Sequence, residues 1–190
     1  MAMNRYHRFY CRSRRWARTV EERLLPWALN GVPLGSDALE IGPGYGVTTD
    51  GLLHRVDRLT LAEVDPSAVG RLRRRYGGRV DVVHADGAEL PLPDGRFHAV
   101  TCFTMLHHVP SPERQDRLFA EARRVLRPGG VFAGCDALDG TVFRLLHRGD
   151  TCVPVPPDTL ASRLRAAGFD EAQVSAGKGR FRFRAFAGGG

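Results

Sequence analysis

The chain has 190 residues, of which 43% are hydrophobic, enough for one well-buried domain and short for two. Its net charge is +7, and seven arginines against Glu21 and Glu22 concentrate most of that charge in residues 1–35. No apolar run approaches the roughly 20 residues that a membrane span needs, and the basic N-terminus lacks the apolar segment of a secretory signal. The four cysteines lie far apart and form no CxxC pair, so we expect no metal site, no disulfide framework and a cytoplasmic protein.

The first 35 residues are predicted to form a helical arm or lid, followed by a domain over residues 36–190. Basic residues alternate there with Trp16 and other apolar residues in the pattern of an amphipathic helix. Such an arm can bind nucleic acid or another anionic surface, or its arginines can be the solvated face of a helix that packs on the domain. The second interpretation is favoured. Tyr6, His7 and Trp16 are candidates to cover a bound cofactor, or else they only pack.

After the arm, short apolar strands alternate with helices. The strands are predicted over 37–41, 59–64, 80–84, 97–105, 131–135, 172–176 and 180–186, and the helices over 47–53, 67–76, 112–126 and 158–167. This alternation is typical of a mostly parallel sheet covered on both faces. The last two strands flank Gly177–Gly179 and are predicted to form a hairpin that carries one antiparallel strand. Arg180, Arg182 and Arg184 are interpreted as the solvated face of this edge region.

Residues 39–46, Leu-Glu-Ile-Gly-Pro-Gly-Tyr-Gly, join the first strand of the domain to its first helix. Glycine at 42, 44 and 46 permits positive φ and lets a ligand approach the main chain, while the first amides of the helix face the same place. Val47 stands where a dinucleotide-binding GxGxxG motif needs its third glycine, and no Walker GK[ST] is present. The octet therefore predicts a nucleotide-type site, with Glu40 as an acid just ahead of the loop.

Two acids follow the second strand, where a carboxylate about 20 residues after the loop can accept both hydroxyls of a ribose. Asp65 precedes Pro66 and suits a helix N-cap, so Glu63 is preferred as the ribose ligand and Asp65 remains the alternative. Asp86 follows the third strand, either as a second ligand-binding acid or as a simple turn former.

Several features of the sequence together resemble the class I S-adenosylmethionine-dependent methyltransferases of the methyltransferase type 11 kind. They are the motif E-x-G-x-G-x-G over residues 40–46, the acids after the second and third strands, and the segments 90–97 and 126–130. The resemblance covers about residues 37–186. It implies an α/β, Rossmann-like fold: a seven-stranded, mostly parallel sheet with an antiparallel C-terminal strand and helices on both faces, here with the added helical arm. It also implies S-adenosyl-L-methionine as the cofactor. His98 departs from the Asp usual in the family, which puts a local hydrogen-bond network in doubt.

In this family the loop backbone approaches the methionine end of the cofactor, and the leading acid contacts its amino-acid end. The acid after the second strand binds the ribose, and the acid after the third strand accepts from the adenine amine. The resemblance thus implies the following cofactor-binding residues: Glu40, Gly42, Pro43, Gly44, Gly46, Glu63, Val64, Asp86, Gly87, Ala88 and Thr104.

Residues 104–109 follow the fourth strand and, by the family pattern, lie beside the sulfonium of the cofactor. His107 and His108 are candidate catalytic bases, because imidazole titrates near neutrality and a base is needed only where the acceptor must lose a proton. Their alternative role is to line the pocket or brace the loop. Asp136 and Asp139, after the fifth strand, are candidates to bind or deprotonate the acceptor, or else form a turn and cap.

The octet also resembles that of the rRNA adenine dimethylases, but that group has Asn-x-Pro-aromatic where this chain has Phe103–Leu106, Phe-Thr-Met-Leu. A nucleic-acid partner is therefore disfavoured. We expect methyl transfer to oxygen or nitrogen, or to carbon, of a small-molecule acceptor held by the arm, the 104–109 loop and the segment 136–157. The alternatives are an RNA methyltransferase that uses the Arg-rich arm and a non-catalytic protein that binds S-adenosylmethionine.

Overall fold

A computed structural model describes residues 9–189, which fold around a seven-stranded sheet. The strands are β1 Asp37–Ile41, β2 Arg58–Glu63, β3 Asp81–His84, β4 Phe97–Phe103, β5 Leu126–Ala137, β6 Glu171–Gly177 and β7 Arg180–Phe186. The helices are α1 Arg14–Thr19, α2 Leu25–Ala28, α3 Val47–Leu52, α4 Pro66–Tyr76, α5 Pro112–Val125, α6 Thr141–Leu146 and α7 Pro157–Ala166, with a π-helical turn Val20–Leu24 and a 3₁₀ turn Leu106–His108. The predicted fold, mostly parallel with an antiparallel C-terminal strand, is confirmed.

The strand order is β3-β2-β1-β4-β5-β7-β6, and the neighbours from β3 to β5 are parallel. Every residue of β1 is buried, because an apolar core lies on each face of the sheet. The chain runs from β1 toward β3 on one side and continues from β4 on the other, so the order reverses between β1 and β4. In open parallel sheets, ligands bind beyond the carboxyl ends of the strands at such a reversal. The fold therefore directs a ligand to the ends of β1, β2 and β4.

The C-terminal hairpin forms as predicted, but the interpretation of its arginines is wrong. The strand β7 lies between β5 and β6 and pairs with both in the antiparallel sense, so it is not an edge strand. Phe181 and Phe183 are buried on one face as expected. On the other face Arg182 donates to the carbonyl of Trp27 at 2.5 Å, and Arg180 stacks over Trp16 at 5.3 Å. These half-buried arginines contact the N-terminal helices, because those helices cover this face of β7.

The described part of the arm packs as amphipathic helices on the domain. Trp16, Val20, Leu24 and Leu25 are buried and share a core cluster with residues of β1, β2, β4 and β5. The helical character predicted for this region is thus present from Arg14 onward. Tyr6 and His7 lie outside the described residues, and the role of the arm as a lid stays a prediction.

Two features of the fold were not predicted from the sequence. The helix α6 occupies part of the segment expected only to line a pocket, and it ends at His147 as its C-cap. The strand β5 begins at Leu126 and not at residue 131 as predicted, because its pairing with β4 continues through an irregularity between Leu126 and Val131. Within residues 9–189, none of the helices has the length and apolar character that a membrane crossing requires.

His98, which stands where the family has Asp, packs directly beneath Gly35. A Cβ at Gly35 would approach the Cβ of His98 to 2.5 Å, so the two residues depend on each other. Among the described residues, the buried Nδ1 of His98 has no hydrogen-bond partner. This supports the interpretation that the local hydrogen-bond network differs from that of the family.

Candidate functional site

A cavity of about 750 Å³ opens at the carboxyl edge of the sheet. Its size lies within the roughly 300–1,000 Å³ typical of cofactor and ligand sites. Eight of the eleven predicted cofactor residues line it, namely Gly42, Pro43, Gly44, Glu63, Val64, Asp86, Gly87 and Thr104. The cavity is also lined by three histidines, by Phe143, Leu146 and Arg180, and by Tyr10 and Trp16 of the arm. One space therefore joins a cofactor end to a histidine end.

The three loop glycines all have positive φ but serve different purposes. A Cβ at Gly42 would approach Met105 to 2.8 Å, and a Cβ at Gly46 would collide with the hydroxyl of Tyr76. These two glycines permit close packing within the protein. A Cβ at Gly44 would meet no heavy atom of residues 9–189 within 4 Å, although Gly44 lines the cavity. Gly44 is thus the glycine whose open side faces the cavity.

Substitution should separate these purposes. Gly44→Ala is expected to fold, with a free energy of unfolding lower by about 1 kcal/mol because alanine disfavours the left-handed backbone conformation. Its methyl group enters the cofactor space, so S-adenosylmethionine should bind about tenfold or more weakly. Gly46→Ala adds a clash with Tyr76 to the backbone strain and should lower the free energy of unfolding by about 3 kcal/mol. Denaturant unfolding and titration calorimetry measure the two effects, and equal affinity of Gly44→Ala and the wild type would contradict this assignment.

Glu63 is the last residue of β2, and its carboxylate contacts the glycine loop. The residue is only 5% exposed. One oxygen accepts the backbone N–H of Gly44 at 3.0 Å, and the other accepts that of Asp65 at 2.9 Å. Asp65 instead caps α4, where it accepts the backbone N–H groups of Ser67 and Ala68. The preference for Glu63 over Asp65 as the ribose ligand stays a prediction, and the cap explains what Asp65 does.

Asp86 lies at the cavity wall after β3 and carries an ion pair that the sequence did not suggest. Its carboxylate accepts the backbone N–H of Ala88 at 2.9 Å and pairs with the guanidinium of Arg114 from α5. Ala88 itself does not line the cavity, whereas Arg114 does. Gly87 packs against Ile41 and Leu118, where a Cβ would approach to 2.7 and 3.0 Å. The adenine end of the predicted site therefore includes the cation Arg114, which lies 28 residues after Asp86 in the chain.

Glu40 lies behind the cavity and not in its wall. It is 1% exposed, and the hydroxyls of Thr48 and Thr49 both donate to its carboxylate, the second at 2.5 Å. Thr48 lines the cavity and stands between Glu40 and the ligand space. Burial raises the pKa of Glu40 from 4.5 to about 7, although both threonine hydrogen bonds act to lower it. The predicted contact of Glu40 with the cofactor is untested, and its visible role is to fasten the start of α3.

The raised pKa of Glu40 makes stability depend on pH. The folded protein holds this proton up to about pH 7, whereas the unfolded chain releases it near 4.5. The folded state therefore binds more protons between those values, and the free energy of unfolding falls as pH rises through them. The loss is on the order of 3 kcal/mol by pH 8. Glu40→Gln should remove this decline in the free energy of unfolding, measured by denaturant unfolding at pH 5 to 8. If wild type and variant differed in this free energy by the same amount at every pH, the assignment of the decline to Glu40 would be wrong.

Thr104 joins β4 to the histidine turn in a strained conformation. Its φ of 51° lies in the left-handed region, which a β-branched residue rarely adopts. Its backbone N–H donates to the carbonyl of Cys135 at 2.8 Å, which ties the turn to the end of β5. Such strain concentrates at functional sites, and Thr104 lines the cavity between its two ends.

His107 and Asp136 form a buried pair at the histidine end. The Nδ1–H of His107 donates to Asp136 at 2.6 Å, and the backbone N–H of the same histidine donates to the other carboxylate oxygen at 3.0 Å. Burial alone would raise the pKa of Asp136, but the facing His107 and the donated N–H groups, including that of Ala137, hold it below its usual value. Asp136 therefore stays ionised and fixes the ring of His107.

His147 completes the cluster. The sequence placed it only in the 136–157 segment expected to line the acceptor pocket, and its contact with His107, 40 residues away in the chain, was not predicted. The Nε2 atoms of these two histidines are 3.1 Å apart. His108 stacks beside them with its ring centre 4.1 Å from that of His107, and its Nδ1 lies 3.1 Å from the carbonyl of Thr151. Asp139, the other predicted acid, pairs with Arg144 and does not line the cavity.

Comparisons with known proteins agree with this geometry. The methyltransferase domain family matches residues 39–134. A probable S-adenosylmethionine-dependent methyltransferase of Mycolicibacterium smegmatis is 40% identical over 98 residues, which are 52% of this chain and 37% of that protein. The ubiquinone biosynthesis O-methyltransferase of Aromatoleum aromaticum is 31% identical over 158 residues, 74% of this chain and 66% of that protein. The chain spans between 25% and 66% of the length of the curated relatives it matches.

Solved structures share the fold. A chain from the complex of the Haloferax volcanii Trm112 methyltransferase activator with a methyltransferase superposes with a TM-score of 0.74 at 14% identity, covering 99% of this chain and 100% of that one. Similar structures include a carbon methyltransferase, an N-methyltransferase and complexes with S-adenosylhomocysteine. The family and its relatives confirm S-adenosyl-L-methionine as the predicted cofactor. The chain belongs to the class I S-adenosylmethionine-dependent methyltransferases.

Proposed function

We propose that this domain transfers the methyl group of S-adenosyl-L-methionine to oxygen or nitrogen, or to carbon, of a small-molecule acceptor. The observation that carries the proposal is the single cavity with predicted cofactor residues at one end and buried histidines at the other. The residues fit the cofactor. Glu63 keeps lone pairs for ribose hydroxyls beyond those given to Gly44 and Asp65, and Gly44 leaves its open side to the amino-acid end.

The protein would contribute mainly by alignment. The cofactor supplies a methyl group on a positively charged sulfur, and its transfer is an in-line displacement that depends on holding donor and acceptor collinear. The 104–109 turn separates the two ends of the cavity and is held at both Thr104 and His107 by backbone hydrogen bonds to β5. This rigidity supports a fixed distance between cofactor and acceptor.

His107 is the better placed of the two predicted bases. Asp136 fixes its Nδ1–H, so Nε2, which contacts Nε2 of His147 at 3.1 Å, is the nitrogen that can accept a proton from an acceptor hydroxyl or amine. His108 directs its Nδ1 to the backbone carbonyl of Thr151 at 3.1 Å, whereas the partner of His107 is a carboxylate. We therefore assign proton removal to His107 and a positioning role to His108.

The walls of the acceptor end favour a compact acceptor. Phe143 and Leu146 give it apolar surface, and Arg180 gives it a cation. An aromatic or acidic small molecule matches both properties. Tyr10 and Trp16 of the arm, whose rings lie 5.4 Å apart, also line the cavity, which supports the assignment of the arm as a lid.

An RNA acceptor is the second candidate, because a basic face lies beside the cavity. Arg12, Arg14, Arg15 and Arg18 of the arm are all exposed. Local similarity to ribosomal RNA small subunit methyltransferases also extends over 71 residues. Binding of RNA through these side chains would weaken steeply with salt, and removal of residues 1–18 would abolish that dependence. A flat salt response would exclude this candidate.

The test of the proposed function is transfer of labelled methyl groups. The full chain is incubated with S-adenosylmethionine labelled in its methyl group and with a metabolite extract from the source cell, with and without ribonuclease. We expect label in small molecules and no effect of ribonuclease. Label that disappears with ribonuclease would replace the proposal by RNA methylation. Tight cofactor binding without any transfer would indicate a non-catalytic binding protein.

A further inference from the structure

Three histidines converge at the acceptor end of the cavity. His107 and His108 come from the turn after β4, and His147 from the end of α6. They are 3%, 6% and 7% exposed, and one nitrogen of each lies within 4.8 Å of the others. Polar nitrogens of buried rings require a hydrogen-bond partner or a bound ion, so the convergence of three imidazoles from two distant segments needs a physical cause.

Each ring has an acceptor at Nδ1. His107 contacts Asp136 at 2.6 Å, and His147 and His108 contact the carbonyls of Phe143 and Thr151 at 2.8 and 3.1 Å. Carboxylates and carbonyls only accept hydrogen bonds, so the hydrogen of each neutral ring is on Nδ1 and its lone pair is on Nε2. Metal-binding histidines almost always show this arrangement, with the second nitrogen bound to a carboxylate or carbonyl.

The contact between His107 and His147 is the most specific observation. Their Nε2 atoms are 3.1 Å apart, although the partners at Nδ1 place a lone pair on both. Two facing lone pairs repel, so either a proton lies between them, as in the N–H···N hydrogen bond of a charged histidine pair, or a metal ion does. In a tetrahedral site with metal–nitrogen bonds of about 2.0–2.1 Å, neighbouring nitrogens are about 3.3 Å apart. The observed separation is close to that value.

We propose that His107, His108 and His147 bind one divalent transition-metal ion of the zinc type. Three imidazoles suit zinc and its neighbours, whereas magnesium and calcium prefer oxygen ligands. Three protein ligands with a fourth open position are the pattern of a catalytic zinc site. All three histidines line the cavity, so that position faces the acceptor. The sequence led us to expect no metal, since only the cysteine spacing was informative there.

The metal changes the role of His107, because a metal ion and a proton use the same lone pair. With the ion bound, His107 is a ligand, and an acceptor hydroxyl at the open position loses its proton to water more readily. Its oxygen then forms the bond to the methyl carbon while the carbon–sulfur bond breaks and its electron pair stays on sulfur. This consequence rests on the proposed function, whereas binding of the ion does not.

Metal binding is tested directly on the untagged full chain after treatment with a chelator. Titration with Zn²⁺ alone is followed by calorimetry, and titration with Co²⁺ by visible absorption. We expect one ion per chain and a cobalt spectrum of tetrahedral type. His107→Ala and His147→Ala should each weaken Zn²⁺ binding by at least about 100-fold, and Asp136→Asn by about 10- to 100-fold because it alters the hydrogen bond that orients His107. His54→Ala, at an exposed histidine outside the cluster, should bind as the wild type does.

Calorimetric binding of S-adenosylmethionine by each variant shows that it is folded. The proposal would be overturned if the wild type did not bind one Zn²⁺ per chain in the titration. It would also be overturned if His107→Ala and His147→Ala left Zn²⁺ affinity unchanged. Zinc binding is measured without cofactor or acceptor. A protein that binds zinc but transfers no methyl group would therefore refute the proposed function and support the metal site. A protein that transfers methyl groups but binds no zinc would refute the metal site and support the proposed function.

Discussion

His107→Ala is expected to lower the rate of methyl transfer at saturating S-adenosylmethionine by about 10²- to 10⁴-fold, the usual range for loss of acid–base chemistry. The ring is buried and fixed by Asp136 on one nitrogen, so its other nitrogen has one direction in which to act. Asp136→Asn should have a comparable effect, because an amide in place of the carboxylate no longer stabilises the same tautomer. The rate is measured with labelled cofactor on the acceptor found in the extract.

Cofactor affinity and a matched histidine variant are the controls for this result. Both variants should bind S-adenosylmethionine within about threefold of the wild type, since neither side chain lies at the cofactor end of the cavity. His54→Ala should transfer methyl groups at the wild-type rate. A His107→Ala enzyme that is folded and fully active would show that the histidines only line the pocket.

Glu63→Ala is expected to weaken S-adenosylmethionine binding by about 100-fold or more. Hydrogen bonds to a charged group contribute about 1.5–3 kcal/mol each, and the carboxylate is predicted to bind two ribose hydroxyls. It also accepts the N–H groups of Gly44 and Asp65, so its loss releases the loop that meets the amino-acid end of the cofactor. Titration calorimetry measures the affinity, and unfolding of the unliganded variant shows whether the loop alone has changed.

Asp65→Ala is the matched control for Glu63→Ala. It removes a neighbouring carboxylate that caps α4, so it should lower the free energy of unfolding by about 1 kcal/mol and leave cofactor affinity nearly unchanged. If Asp65→Ala weakened binding more than Glu63→Ala, the ribose site would have been assigned to the wrong acid.

The cofactor end was predictable because its residues follow strand ends. Parallel strands bring the ends of β1, β2 and β3 to one edge, so the order of Gly44, Glu63 and Asp86 in the sequence sufficed to place them together. Glu40 was placed in the correct motif, yet its burial behind Thr48 depends on the packing of α3, which a motif does not describe.

The acceptor end was not predictable in the same way. His147 meets His107 only because α6 folds back over the turn after β4, and Arg114 meets Asp86 only through the position of α5. The sequence separation of His107 and His147, and that of Asp86 and Arg114, match no helix or strand periodicity that could have indicated these contacts. Arg182 shows the related failure, since its face of the sheet is covered by the N-terminal helix that carries Trp27. Long-range packing decides that, and local alternation of arginine and phenylalanine does not reveal it.

A crystal structure of the full chain with S-adenosylhomocysteine tests the account most directly. We expect the ribose hydroxyls within hydrogen-bond distance of Glu63, the amino-acid end over Gly44, and the sulfur directed toward the end of the cavity that His107 and Phe143 line. A ligand seated elsewhere, or one whose sulfur points away from the histidines, would contradict the division of this cavity into a cofactor end and an acceptor end.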